Sequence, residues 1–489
     1  MPSAAEGQGA SKGSGRLLFG LILGVLAFWL FAQTTLNIAP IMAAGLHVDT
    51  SLMNIAVSIT ALFSGIFIVV MGGLADRVGR IRIVQWGFVL NIAGSLLIAL
   101  APAGALAPAL LMAGRIGQGL SGAFIMPASL ALVKAYWDGA GRQRAISLWS
   151  MGSWGGSGFA ALFGGLMAQN VGWRWIFVGS AAVSLVGMLM VRGTPESRAK
   201  EKSGYRFDVK GVLIFMVAMV ALEVLATQGG RFGWTSPATL GLLAISIIFA
   251  VLFFRTESGN PDAFVDFALF RNRTYSGATI SNFLLNGVTG IIIVSMTLLQ
   301  AGGHMTAQQA GLLTLGYAIT VVLFIRAGEK LLQRFGPRMP MLWGTGIVGI
   351  AILLLMPTQL MLATYKIFAV VAFSIFGLGL AFYATPSTDA ALSNRPDDQA
   401  GSGSGIYKMA SSLGASFGVA ISAAVFTALS ADHAPVQWIE GVITYLGRQD
   451  NLALREAALF ALAVNLLMIV AAIASIVLTI SKGRRDTAS

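Results

Sequence analysis

Cysteine is absent from this chain of 489 residues, and histidine occurs only three times. The first absence excludes disulfides and thiolate metal sites. Three histidines without ligand spacing give no basis for a metal site either. Charge is scarce as well: 11% of residues are charged, and Asp and Glu together number 20. Soluble globular chains carry about 25% charged residues, so this chain lies outside that class. There is no G-x-x-x-x-G-K-S/T phosphate loop, which removes ATP-driven work through that motif. No catalytic constellation with workable spacing occurs, so neither an enzyme nor a cofactor is expected.

What the chain has is apolar length: 56% of its residues are hydrophobic. The apolar runs recur at about 20 residues each, enough to cross a hydrocarbon core roughly 30 Å thick. They predict fourteen spans, near 17–45, 52–75, 83–101, 105–133, 143–168, 173–192, 209–228, 237–254, 274–301, 308–333, 340–358, 362–392, 403–430 and 455–481. The net charge of +12 comes from short segments between these runs. It forms no basic stripe interleaved with aromatics, so no nucleic-acid partner is expected. Arg77, Arg80 and Arg82 follow the second span, Lys134, Arg142 and Arg144 the fourth, and Arg192 to Lys210 the sixth. Loops after odd-numbered spans are nearly bare. Positive-inside bias therefore places both termini in the cytoplasm.

The expected fold is an all-α polytopic membrane protein: two six-helix bundles with an inserted helix pair. Its parts are a disordered cytoplasmic N-terminus (1–16), a first bundle (17–192), a cytoplasmic linker (193–208) and the inserted pair (209–254). An amphipathic cytoplasmic segment (255–273), a second bundle (274–481) and a cytoplasmic tail (482–489) complete it. "GGLADRVGRIR" after the second span is echoed by "EKLLQRFGPRM" after the tenth, with Gly79 falling on Gly336 and Arg77 on Arg334. Parallel duplication of this kind belongs to alternating-access carriers.

Three motifs carry chemistry. In "GGLADRVGR", Gly73 and Gly79 allow close approach and a tight turn, while Asp76 can cap a helix or pair with Arg77 or Arg80. That cluster reads as a latch at the cytoplasmic mouth, or as a solvated turn obeying charge bias. In "GRIGQGLSGAFIMPASLALV", Arg115 lies well inside a span, where a charge costs roughly 2.5–3.5 kcal/mol. It needs a partner or a wet cavity, and Gln118 shares its face; snorkelling to the membrane surface is the alternative. "GSWGGSGFAALFGGLMAQ" is dense in small residues, which suits tight packing, sliding or static.

These motifs, in this order, resemble the major facilitator superfamily, in its 14-helix drug:proton antiporter branch. "FWLFAQ", "NIAVSITALFSG", "RQRAISLWSMGSWGGSG", "GWRWIF", "SNFLLNGV", "GEKLLQ", "YATPSTD" and "GIYKMASSLGASFGVA" are similar to the NorB/NorC-type group of multidrug efflux proteins. The resemblance implies export of drug-like amphiphiles in exchange for protons, by a monomer in the bacterial cytoplasmic (inner) membrane. Its partners are then small-molecule drugs, protons and the lipid bilayer. Three departures stand out: Gln33 replaces a first-helix Asp, "AALFGG" replaces a Pro-containing fifth-helix pattern, and Tyr407 and Lys408 occupy the neighbourhood of a thirteenth-helix carboxylate.

Proton-coupling and gating candidates are therefore few: Asp389, Lys408, Arg115, Glu223 and Glu329. Asp389 follows Pro386, and a local hydrogen bond at that kink competes with a coupling role. Glu223 falls in the inserted seventh span, where packing or a lipid interface suits it better. Glu329 has Arg326 and Lys330 beside it, as for a structural pair at the gate. Lys408 needs a partner or water, and a Lys408–Asp389 pair broken by substrate or proton is a workable switch. The expected cavity is neutral and aromatic: Gln33, Asn37, Gln118, Met126, Trp149, Trp154, Asn282, Asn286, Tyr317, Tyr383 and Tyr407. Each of these is also compatible with plain packing. In "FWLFAQTTLNIAP", Gln33 and Asn37 share a face that can hydrogen-bond a zwitterionic, quinolone-like substrate. A same-fold carrier dedicated to one metabolite, peptide or lipid precursor, or a non-transporting sensor or scaffold, are the rival expectations.

Overall fold

The computed structural model describes residues 13–48, 50–198, 208–260, 263, 265, 267–393, 400–430 and 444–481. Most of the expected N-terminal segment and linker, and the tail 482–489, lie outside them. So do the side chains of Asn37 and Glu223. The described part is all-α, the arrangement that satisfies every backbone donor and acceptor within its own segment when water is absent.

In chain order, α1 comprises Gly15–Leu26, a π turn at Ala27–Ala32 and Gln33–Leu46. It is followed by α2 (Thr50–Val78), α3 (Arg80–Ala99) and α4 (Ala107–Tyr136). Next, α5 comprises Gly139–Ser150, a second π turn at Met151–Gly155 and Gly156–Asn170. Then come α6 (Arg174–Val191), α7 (Val209–Phe232) and α8 (Pro237–Glu257). Helix α9 runs Arg273–Gly302, and α10 is Leu315–Phe335 behind the short helix Ala307–Leu313. The last four are α11 (Arg338–Leu355), α12 (Leu362–Ser393), α13 (Ala400–Ser430) and α14 (Leu452–Thr479).

Twelve of these helices are long and apolar enough to cross a membrane, counted among the described residues. Against the fourteen spans expected from sequence, the described residues carry these twelve and a shorter apolar stretch, Val209–Leu222, inside α7. The other exception is α5. Its glycines and serines, with Arg142 and Arg144 near its start, make it too polar to qualify. Its place in the fold explains why. Helix α5 packs on α1 on one side and on α10 and α12 on the other, away from an all-lipid surround.

The sequence echo becomes a repeated architecture. In the first six helices α1 pairs with α5 and α6, α2 with α4, and α3 with α4 and α6. In the last six, α9 pairs with α13 and α14, α10 with α12, and α11 with α12 and α14. These are the same five pairings shifted by eight helices. The seam between the sets is symmetric too: α2 and α4 meet α13, while α10 and α12 meet α5. Helices α7 and α8 pack on each other, and α7 rests on α2 and α13.

Gly79 and Gly336 end α2 and α10 with φ of +126° and +71°, conformations suited to glycine. At Gly79 an added Cβ would also lie 2.4 Å from the Glu196 carboxyl carbon. Gly79→Ala is expected to cost about 1–3 kcal/mol in backbone strain and to displace Glu196. A lowered melting temperature in detergent checks this; an unchanged one contradicts the assignment.

Candidate functional site

Three of the clusters of buried polar groups lie in the first half and along the seam, and they build up from α4 outward. Arg115 on α4 is 2% exposed. Its guanidinium donates to the carbonyl oxygens of Ala56 (2.9 Å) and Ala32 (2.9 Å), to Thr35 Oγ1 (3.0 Å) and to Gln118 Oε1 (2.7 Å). Ala32 closes the π turn of α1, a device that often accompanies functional sites. Gln118 passes the chain on to Ser95 at 3.1 Å, and Ser95 and Asn91 of α3 reach Ser180 of α6. Two polar residues of α1 are thereby engaged: Thr35 accepts from Arg115, while Thr34 donates to Ala160 of α5 at 3.0 Å. Gln33 stays half-buried. Among the described residues no carboxylate takes part in this network.

The second cluster closes one end of the seam. Asp76, at the end of α2, accepts the backbone N–H groups of Gly401 (2.9 and 2.8 Å) and Ser402 (3.0 Å) at the start of α13. A carboxylate there complements the positive end of the helix. The same carboxylate takes Nε and Nη2 of Arg80, at 3.0 and 2.8 Å. Gly72 and Gly401 permit this approach, because a Cβ on Gly72 would meet the Gly401 carbonyl oxygen at 2.4 Å. Gly73 is buried beside them, and Arg77 is half-buried. Glu196 caps the start of α3 in parallel, accepting from Ile81 and Arg82 N–H at 2.9 and 3.2 Å. On the other flank of the seam, Arg142 of α5 pairs with Asp389 of α12 at 3.3 Å and donates to Ser393 at 2.8 Å.

The third cluster lies deeper in the seam. Lys408 of α13 is 8% exposed, with its ammonium 4.5 Å from the ring centroid of Trp149 on α5 and 5.5 Å from that of Tyr407. Trp149 is fully buried and is fixed by its Nε1–H, which donates to Ser129 Oγ at 2.9 Å. Tyr407 donates to Ser387 (2.9 Å), and Tyr383 shares a hydrogen bond with Ser281 (2.7 Å). Asn282 donates to the Tyr407 carbonyl at 3.0 Å, and Asn286 to Asn282 Oδ1 at 3.0 Å. Tyr317 packs on Phe376, Met126 is buried, and Trp154 is half-buried against the core.

The pair expected between Lys408 and Asp389 does not form. Asp389 is taken by Arg142 from the opposite half, so the lysine rests on an aromatic face instead. Glu329 sits 3.5 Å from Arg326 and accepts from Gln333 at 3.4 Å. Sequence reasoning gave Arg142 and Glu196 no site role. Both stand in charged turns where a topological charge and a pairing charge look alike. A separate, largely apolar cavity of about 230 Å³, lined by Leu299, Met361, Tyr365 and Arg455, lies at the opposite end of the second half.

Two duplicated six-helix halves meeting along a seam lined with buried charge and aromatic faces define the class: a polytopic helical membrane protein of the carrier type. The chain belongs to the Major Facilitator Superfamily, whose model matches residues 21–419 and 277–486. It is 47% identical over 419 residues to the quinolone resistance protein NorB of Staphylococcus aureus strain MRSA252, covering 86% of this chain and 90% of that protein. It is 48% identical over 421 residues to NorB of strain JH9, with the same coverage. A solved structure of the proton:xylose symporter XylE shares the fold, with a TM-score of 0.62, 14% identity and coverage of 93% of this chain and 94% of that one.

Proposed function

We propose that this protein exports quinolone-like amphiphilic drugs across the bacterial cytoplasmic membrane, in exchange for protons, by alternating access. The observation that carries the mechanism is the one-sided seam. The charged contacts between the halves, Asp76 with Gly401 and Ser402 and Arg142 with Asp389, concentrate at the end where α2 and α12 finish. Charge bias assigns that end, with both termini, to the cytoplasm. The described conformation is then the one closed to the cytoplasm, and the two halves rock about the seam to reach the other. Helices α5 and α7 complete fourteen crossings in this reading, and a monomer suffices.

The substrate class rests on the NorB relatives and on the seam's chemistry. Buried tyrosine, tryptophan, asparagine and methionine offer faces and hydrogen bonds to amphiphiles of varied shape. Proteoliposomes with an acidic lumen are expected to accumulate norfloxacin well above protein-free liposomes with the same gradient, and to stop when the gradient is collapsed. Accumulation no greater than in protein-free liposomes overturns the reading. Transport of a single compound from a panel of cationic, zwitterionic and anionic drugs would point to a dedicated carrier.

A further inference from the structure

An antiporter must prevent proton and substrate from occupying it together, and it needs a titratable group at the seam that is free to change its charge. Among the described residues, the acids bordering the seam are held: Asp76 by Arg80 and the α13 amides, Asp389 by Arg142, Glu329 by Arg326. The nearby tyrosines are engaged as well, Tyr275 of α9 with the Gly403 carbonyl, Tyr383 of α12 with Ser281, and Tyr407 with Ser387. Lys134 of α4 is another buried cation on an element packed against α13. Among the described residues no carboxylate pairs with Lys408. Its stabilising contact is the π face of Trp149, which comes from the opposite half of the molecule.

We propose that the Trp149 face is a site for one cation at a time: the ammonium of Lys408 when that lysine carries its proton, and the ammonium of the drug when it does not. The inference rests on the antiport reading above and names the substrate feature being read, a basic amine on an aromatic amphiphile, zwitterions included. An aromatic face attracts either cation through its quadrupole, while two like charges within a few ångströms repel strongly in a poorly screened interior. When the halves part, a drug amine that takes the ring leaves Lys408 without its partner. The lysine N–H bond then breaks, the electron pair stays on Nζ, and the proton passes to water on the Asp76 side. On return, a proton from the opposite side recharges Lys408, which reclaims Trp149 and expels the drug amine. Because lysine and ring belong to opposite halves, occupancy of this one face is tied to closure of the seam.

The test uses the full-length protein purified in detergent and weakly buffered, with norfloxacin as the probe. A pH-indicator dye reads proton release, and tryptophan quenching reads binding. Wild type is expected to release protons on binding, and Lys408→Gln to bind without that release, the difference cancelling the drug's own titration. Trp149→Leu is expected to weaken binding about tenfold, with Trp149→Phe between them. Equal release from wild type and Lys408→Gln overturns the proposal, as does gradient-driven transport by a wild type that releases nothing. Should Lys408→Gln fail to fold, unchanged norfloxacin affinity in Trp149→Leu overturns it alone. A wild type that releases protons on binding but drives no transport refutes the antiport reading instead.

Discussion

Arg115→Met is expected to abolish gradient-driven drug transport while leaving the protein at least as stable as the wild type. The two halves of this result have different causes. Arg115 is 2% exposed and is satisfied by carbonyl, hydroxyl and amide oxygens, with no carboxylate among the described residues to offset its charge. A charge placed mid-span costs roughly 2.5–3.5 kcal/mol, and apolar replacement of buried ionic groups is often neutral or stabilising by about 1–4 kcal/mol. Folding therefore gives no reason to keep it. Its fork joins α1 at Ala32 and Thr35, α2 at Ala56 and α4 at Gln118, so movement of α1 against α2 is transmitted through it. Transport by Arg115→Met is expected to fall about a hundredfold or more, the scale of losing two strong charged hydrogen bonds. Arg115→Lys should restore little, because a single ammonium cannot span three helices. Parallel melting curves and proteoliposome rates check both halves. Collapse of stability would make Arg115 a structural residue, and retained transport would remove it from the mechanism.

Asp76→Ala is expected to open the seam at the α2 end. The substitution removes the acceptor for two α13 amides and leaves Arg80, itself 2% exposed, without its acid. The amides bond to the carboxylate across the seam only in the closed state, and losing two charged hydrogen bonds of roughly 1.5–3 kcal/mol each moves the closed-to-open ratio by about two to four orders of magnitude. The chain's lack of cysteine makes the readout clean. A Ser404→Cys reporter, at a position whose hydroxyl reaches the Pro127 carbonyl across the seam at 2.9 Å, should be shielded with Asp76 present. It should be labelled rapidly by a hydrophilic maleimide in Asp76→Ala. Equal labelling in both backgrounds would show that Arg142–Asp389 and the glycine contacts hold the seam unaided.

Much of this was legible in the sequence, and the failures have physical reasons. The Gly79–Gly336 echo was visible because a left-handed turn demands glycine wherever it recurs. The Arg115–Gln118 contact was visible because residues three apart share a helix face. Helix α5 was read as a span from its apolar run near 143–168, yet its glycines and serines leave it outside the twelve described helices that are long and apolar enough to cross a membrane. What stayed hidden lies across the seam. Arg142 and Asp389 are 247 positions apart, and no periodicity within either helix reveals that they meet. The sequence reading paired Lys408 with Asp389, whereas the fold gives that acid to Arg142 and leaves the lysine an indole.

The π turns at Ala27–Ala32 and Met151–Gly155 lie in α1 and α5, which pack against each other. Each holds one residue more than an α turn would, a small store of slack in a rod otherwise fully hydrogen-bonded. Migration of such a bulge by one turn rotates the helix between its old and new positions by about 100°, without shifting either end along its axis. Ala32 and Thr35 would swing away from Arg115, and Trp149 away from Lys408, while the rods stay anchored in the bilayer. Rocking of the halves can thus be geared to axial rotation of the two helices that carry those contacts.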